Sequence, residues 1–184
     1  MGQTLTEKLL ARAAGKTVVH PGEYIELKEF VGPIGYSFKG FNFIQTVQRQ
    51  LAALGVEKIA CPERCILNCD HNTPAQTQAD TGLVRQVKAA AAELGIDKVY
   101  DREGIGHIVN IETGDILPGS VFVHMDPQSA LAGGIGALYT NGGRLGSTYL
   151  EAFALGELAI CVPETLRIEI NGNPPPNVSA RDMW

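Results

Sequence analysis

The sequence predicts an α/β domain of three layers, with helices on both faces of a mainly parallel sheet. Three observations carry this expectation. Short apolar runs alternate with amphipathic stretches of about 10 to 15 residues, the pattern of strands joined by helical crossovers. The chain has 184 residues, 45% of them hydrophobic and 19% charged, enough to bury a core without disulfide or metal staples. No internal repeat is visible, and no low-complexity tract beyond Pro174-Pro-Pro176.

The elements follow in order. Thr4 and Glu7 have capping-box spacing, and Leu5, Leu9, Leu10 and Ala13 follow at helical intervals until Gly15 stops the helix. Val18 to Leu27 reads as extended chain with a turn at Pro21-Gly22. Phe30 to Gly40 is glycine-rich and aperiodic, and reads as a loop. Phe43, Ile44, Val47, Leu51 and Leu54 mark a second helix closed by Gly55. The compact apolar run Arg64-Cys-Ile-Leu-Asn-Cys69 leads to Asp70-His71, and a third helix covers Thr81 to Leu94. Lys98-Val-Tyr100 and Val121-Phe-Val-His124 read as strands, with Asp101 to Gly106 as a loop between them. The glycine-rich stretch Gly133 to Gly146 introduces a helix from about Thr148 to Leu158. Ile160 to Ile170 reads as one or two last strands. The domain is expected to span residues 1–170, with 171–184 as a linker. There Ser179 and Asp182 have the spacing of a cap that starts a helix at Ala180, leading toward sequence or a partner outside this chain.

Charge narrows the function classes. Fifteen Lys and Arg against twenty Asp and Glu give a net charge of −5, which argues against a nucleic-acid binder. No apolar stretch reaches the roughly 18 residues of a membrane span. The opening segment carries charges inside its apolar part and does not read as a secretory signal. Four cysteines in that setting suggest reduced thiols and a cytoplasmic location.

Ligands of open parallel sheets bind beyond the carboxyl ends of the strands. Three polar groups fall there: Asp70-His71, His107 in Gly104-Ile-Gly-His107, and His124 with Asp126. An Asp–His neighbour pair orients imidazole as a general acid or holds a carboxylate. The alternative is that each histidine caps local backbone. His20, beside Pro21-Gly22, reads as plain surface. Arg64 and Arg144 are candidate partners for substrate carboxylates. The stretches Gly133-Gly-Ile-Gly136 and Asn141-Gly-Gly143 match neither a P-loop nor a dinucleotide fingerprint, and either cradle an anion or serve tight packing. Cys61, Cys65 and Cys69 invite a metal reading. Side chains four residues apart on a strand stand about 13 Å from one another, so buried small hydrophobes are the expected role for these and for Cys161.

Several segments, taken in order, resemble one family. Cys69-Asp-His71-Asn-Thr-Pro-Ala-Gln76 is similar to the Asp-His segment of the aconitase and isopropylmalate dehydratase large subunits. Gly104-Ile-Gly-His-Ile108 is similar to the family's second histidine loop. Asp126 to Gly136, with Gly146-Ser-Thr148, aligns with its Asp-Ser-His-Thr loop, glycine stretch and following helix. Gly156-Glu157, Val162 to Ile168 and Asn171 to Asp182 resemble the strand and linker that end its first domain, and Met1 to Gly22 resembles its opening. The resemblance implies the first α/β domain of a hydro-lyase or isomerase acting on small hydroxy di- or tricarboxylic acids. Asp70, His71, His107 and Asp126 would be catalytic, with Gln128, Ser129, Arg144 and Arg64 binding substrate. It also implies a [4Fe–4S] cluster whose ligands are absent from this chain, and further domains or a partner subunit.

Two departures stand out. Pro127 and Gln128 occupy the places of the loop's serine and histidine, and Val31 to Ser37 offers no counterpart of the early substrate-binding loop. Two other readings therefore stay open: a cluster-free isomerase or hydratase using His71 and His107, and a non-catalytic carboxylate-binding or scaffold domain. No metal ligand is expected in the chain itself.

Overall fold

In a computed structural model, described over residues 2–36, 43–141 and 147–183, the chain forms the expected α/β domain. The described elements are α1 (Leu5–Ala13), β1 (Tyr24–Leu27), β2 (Gly32–Tyr36), α2 (Phe43–Leu54), β3 (Cys65–Asn68), α3 (Gln78–Leu94), β4 (Lys98–Tyr100), α4 (Gly106–Glu112), β5 (Val121–His124), β6 (Leu138–Asn141), α5 (Ser147–Leu155) and β7 (Leu158–Cys161). Strands β2, β3 and β4 pair in parallel, and so do β5 and β6. A parallel bridge between Val31 and Phe122 joins the two groups. Val31 N–H donates to Val121 O (3.0 Å) and Val123 N–H to Val31 O (2.9 Å). The resulting order is β4-β3-β2-β5-β6. Strands β1 and β7 form a separate antiparallel pair.

Residue parity along the strands shows the layers. Cys65 and Leu67 of β3 and Val121 and Val123 of β5 join the main core with Leu10 of α1, Val47 of α2, Val87 of α3 and Phe153 of α5. Phe122 points the other way, into a smaller cluster with Ile116, Ala132 and Ala137. That second face is covered by α4 and by a 3₁₀ helix over Pro127–Ile135.

Helix starts follow the sequence signals. Glu7 N–H donates to Thr4 Oγ1 (3.2 Å) and Thr4 N–H to Glu7 Oε2 (2.6 Å), the capping box read from spacing. A second box at Thr77 and Asp80 starts α3 three residues earlier than the apolar periodicity indicates.

Four expectations need correction. Residues 32–36 are a strand, not part of a loop. Glycine is there for approach: a Cβ on Gly32 would stand 1.9 Å from Val123 O, so only a bare backbone lets β2 lie against β5. The Asp101–Gly106 loop gives way to α4 at Gly106. The second glycine-rich stretch contains the end of the 3₁₀ helix and β6, and the helix after it ends at Leu155. Only β7 forms in the last apolar region; residues 163–183 are exposed throughout. Within them Ser179 and Asp182 cap a single 3₁₀ turn over Ala180–Asp182.

Candidate active site

Two Asp–His pairs meet at the carboxyl edge of the parallel sheet. The first follows β3 directly. His71 Nδ1 lies 2.9 Å from Asp70 Oδ1, with the imidazole about half exposed and the carboxylate nearly buried. The other oxygen, Asp70 Oδ2, accepts from the Gly106 N–H at 2.8 Å. One carboxylate thus holds the first histidine and the start of α4, which carries the second. Gly106 has no room for a side chain: a Cβ there would stand 2.8 Å from the Asn68 carboxamide and from Asp70 Oδ2.

His107, the second residue of α4, forms the other pair. Its Nδ1 lies 3.6 Å from Asp126 Oδ2. Asp126 ends the chain leaving β5 and is the N-cap of the 3₁₀ helix, accepting from the Gln128 N–H at 3.3 Å. Gln128 is exposed beside it. Four of the expected residues, Asp70, His71, His107 and Asp126, therefore stand on adjoining segments of one edge.

Other expected residues lie elsewhere. Ser129 is fully buried and bonds His124 Nδ1, away from solvent. Burial pushes the His124 imidazole down to about 4, with the nearby Asp126 charge opposing, so the ring is neutral near pH 7. Arg64 precedes β3 and so sits at the amino edge, opposite Asp70. There it donates to Lys28 O, lies 3.4 Å from Glu63 and packs over the Phe30 ring. It helps line a cavity of about 280 Å³ with Arg12, Lys98 and Asp115. Lys98 in that cavity is paired with Asp115 at 3.3 Å. Arg144 lies outside the described residues, as does Gly142–Gly146 of the second glycine stretch. His20 is exposed, as read from its turn.

Cys61, Cys65 and Cys69 are buried as small hydrophobes, whereas Cys161, expected to be buried with them, is exposed at the end of β7. Cys61 and Cys65 are buried, and their thiols donate to Phe153 O (3.4 Å) and Cys61 O (3.3 Å). Burial pushes both thiols up, so neither offers a thiolate. Among the described residues no three His, Cys, Asp or Glu side chains are grouped to hold a metal ion. The donor set present does not fit an iron–sulfur cluster. No described helix is long and apolar enough to cross a membrane.

Residues 41–184 match the aconitase family (aconitate hydratase). The chain belongs to that family. It is 36% identical over its whole length to the 3-isopropylmalate dehydratase large subunit 1 of Methanopyrus kandleri, covering 42% of that protein. It is 34% identical to a probable methanogen homoaconitase large subunit of Methanothermobacter thermautotrophicus, over 97% of the chain and 41% of the relative. The 3-isopropylmalate dehydratase large subunit of Moorella thermoacetica is also 34% identical, over all of the chain and 42% of the relative. The chain thus spans well under half the length of these relatives. Sequence reading missed two residues at this aconitase-family edge. Gly106 was passed over as one glycine among several, and Asn68 as part of an apolar run. A polar residue two positions before Asp70, on the strand face opposite Leu67, was the available signal for Asn68.

Proposed function

We propose that this chain supplies the proton-handling wall of a hydro-lyase site for small hydroxy di- or tricarboxylic acids. The reaction removes or adds water between adjacent carbons. The observation that carries the reading is the pair of Asp–His couples on one sheet edge, tied together by the Asp70–Gly106 bond, in a chain of the aconitase family.

The chemistry follows from the geometry. A hydroxide is a poor leaving group, so the departing oxygen needs a proton in the transition state. Asp70 holds Nδ1 of His71 at 2.9 Å, which leaves Nε2 on the far side of the ring to act as the proton donor. The proton passes to the substrate hydroxyl and water leaves as the C–O bond breaks, while a base supplied by the rest of the site takes the proton of the adjacent carbon and its C–H electron pair forms the double bond. In hydration water adds to one carbon and gives a proton to the neutral His71 ring, while that same base returns a proton to the other carbon. His107, set against Asp126, orients the hydroxyl or a substrate carboxylate, and exposed Gln128 offers an amide to the same acid. Arg144 is a further candidate for a carboxylate, whereas Arg64 at the opposite edge is not brought to this site. The family resemblance implies a [4Fe–4S] cluster, but no step is assigned to it because this chain's thiols do not fit one.

The remaining positive charge that a polyanion needs is proposed to come from further domains or a partner subunit. In that arrangement residues 1–170 form the domain, and 171–184 lead toward the rest. The buried and exposed free thiols fit a reducing compartment such as the cytoplasm. The test is a titration of the chain with citrate, followed by NMR of the histidine rings. The expected result is movement of the His71 and His107 resonances with a millimolar dissociation constant, about −4 kcal/mol. Tricarballylate, which lacks the hydroxyl, should bind more weakly. No movement of either ring at tens of millimolar citrate would refute the reading.

A further inference from the structure

The seam between the sheet and α4 holds a second polar feature that the proposed chemistry does not use. On β3, Cys65 and Leu67 face the main core, so Ile66 and Asn68 face α4. Asn68 is 1% exposed and Asn110 0% exposed. In each, neither the amide oxygen nor the amide nitrogen has a hydrogen-bond partner among the described residues. Native proteins leave few such groups unpaired, because each loses its bonds to water on burial.

Their placement connects them. The Asn68 carboxamide stands 2.8 Å from where a Gly106 Cβ would be, so it presses on the Gly106 face of α4. Asn110 follows Gly106 by four residues on the same helix, and so lies on that face one turn along. It also follows His107 by three, which makes the two neighbours on the helix surface. A carboxamide is both donor and acceptor, so two of them satisfy each other reciprocally. Their terminal torsions are broad, and each group turns at little cost.

We propose that Asn68 and Asn110 act as one hydrogen-bonded carboxamide unit, closed directly or through one buried water, that seats α4 on the sheet and thereby sets His107 against Asp126. Both are positioning residues, since neither reaches the open edge. The unit rests on the proposed function only for why the placement of His107 matters.

The experiment is a double-mutant cycle read by urea unfolding, with Asn68→Leu, Asn110→Leu and the double variant. Each single change strands the other carboxamide and should lower the unfolding midpoint. The double variant strands neither, and should unfold at or above the lower of the two single midpoints. Additive shifts would overturn the proposal. Under native conditions the His107 ring resonances should move in both single variants while those of exposed His20 stay. An unmoved His107 would overturn the positioning role. Should a single variant fail to fold, the native protein still decides. The side-chain amide protons of Asn68 and Asn110 should exchange slowly and show a mutual contact, or one to a common bound water, by NMR. Fast exchange without such contacts would overturn the unit. None of these readouts depends on turnover, so they can fail while the citrate titration succeeds, and the reverse.

Discussion

Acidification should destabilise this fold through a single buried histidine before the carboxylates contribute. His124 is fully buried on β5 and bonded to Ser129, and burial lowers its folded-state pKa to about 4. In the unfolded chain an imidazole titrates near 6.5. The unfolded state therefore binds the extra proton first, so stability is complete above about pH 6.5 and lost as pH falls toward 4. With these two values the loss is about 1 kcal/mol at pH 5.5 and about 2 to 3 kcal/mol at pH 4.5. The clearly lowered carboxylates, Glu7, Glu23 and Asp182, act in the same direction but begin below their ordinary values, so the interval above pH 5 belongs mainly to His124. Urea unfolding at several pH values in that interval measures the slope. His124→Phe combined with Ser129→Ala removes the titrating group without stranding the hydroxyl, and should flatten it. An equal slope in the double variant would refute the reasoning, because the lost stability would then come from other groups.

Four further outcomes follow from close approaches and from the site. Gly32→Ala should cost more than about 3 kcal/mol or prevent folding, since the methyl would meet Val123 O, whereas Gly106→Ala should cost about 1 to 3 kcal/mol and move the His71 and His107 resonances; chemical denaturation and NMR check both. Anaerobic reconstitution of this chain with iron and sulfide should give no stable cluster, and about four irons per chain would contradict that. In a turnover-competent assembly containing this chain, His71→Ala should lower kcat by about 10² or more with little change in stability, because the ring is about half exposed.

Much of the fold was legible because periodicity and caps are local signals. Strands β4 and β5, the α1 cap and the span of α2 all follow from residues within one turn or one strand of each other. The failures share a cause: contacts from distant residues decide the structure. Gly32 to Tyr36 carries a loop-like composition, and becomes a strand because β3 pairs with it in parallel while Val31 bridges to β5. Glycine-rich, aperiodic sequence predicts a loop there, while the fold uses Gly32 for the volume a side chain would fill. Helix α4 is seven residues long, too short to hold on propensity alone. At the site, the Asp–His neighbours were readable from adjacency, and sheet-edge logic brought His107 to Asp126. Ser129, expected at the site from the family resemblance, and Arg64, expected there as a charge for a carboxylate, are not brought to it. One faces inward because its hydroxyl bonds His124, and the other precedes its strand and so takes the opposite edge.

The two faces of the sheet divide the work. The face toward α1, α2, α3 and α5 buries most of the apolar side chains, and it fixes the positions of β3 and β5. The face toward α4 has a small apolar cluster and a set of buried polar groups: Asn68, Asn110, His124 and Ser129. Apolar packing is non-directional, whereas hydrogen bonds fix angle as well as distance. A helix as short as α4, laid on an apolar face alone, could slide along it. Held by Asp70 at its first N–H and pressed by Gly106 onto Asn68, it has one seat. The rigid side of the domain therefore sets where the strands end, and the polar side sets how His107 meets Asp126. A site that handles protons needs both, because a displacement of about 1 Å at the histidine can cost 10²-fold in rate.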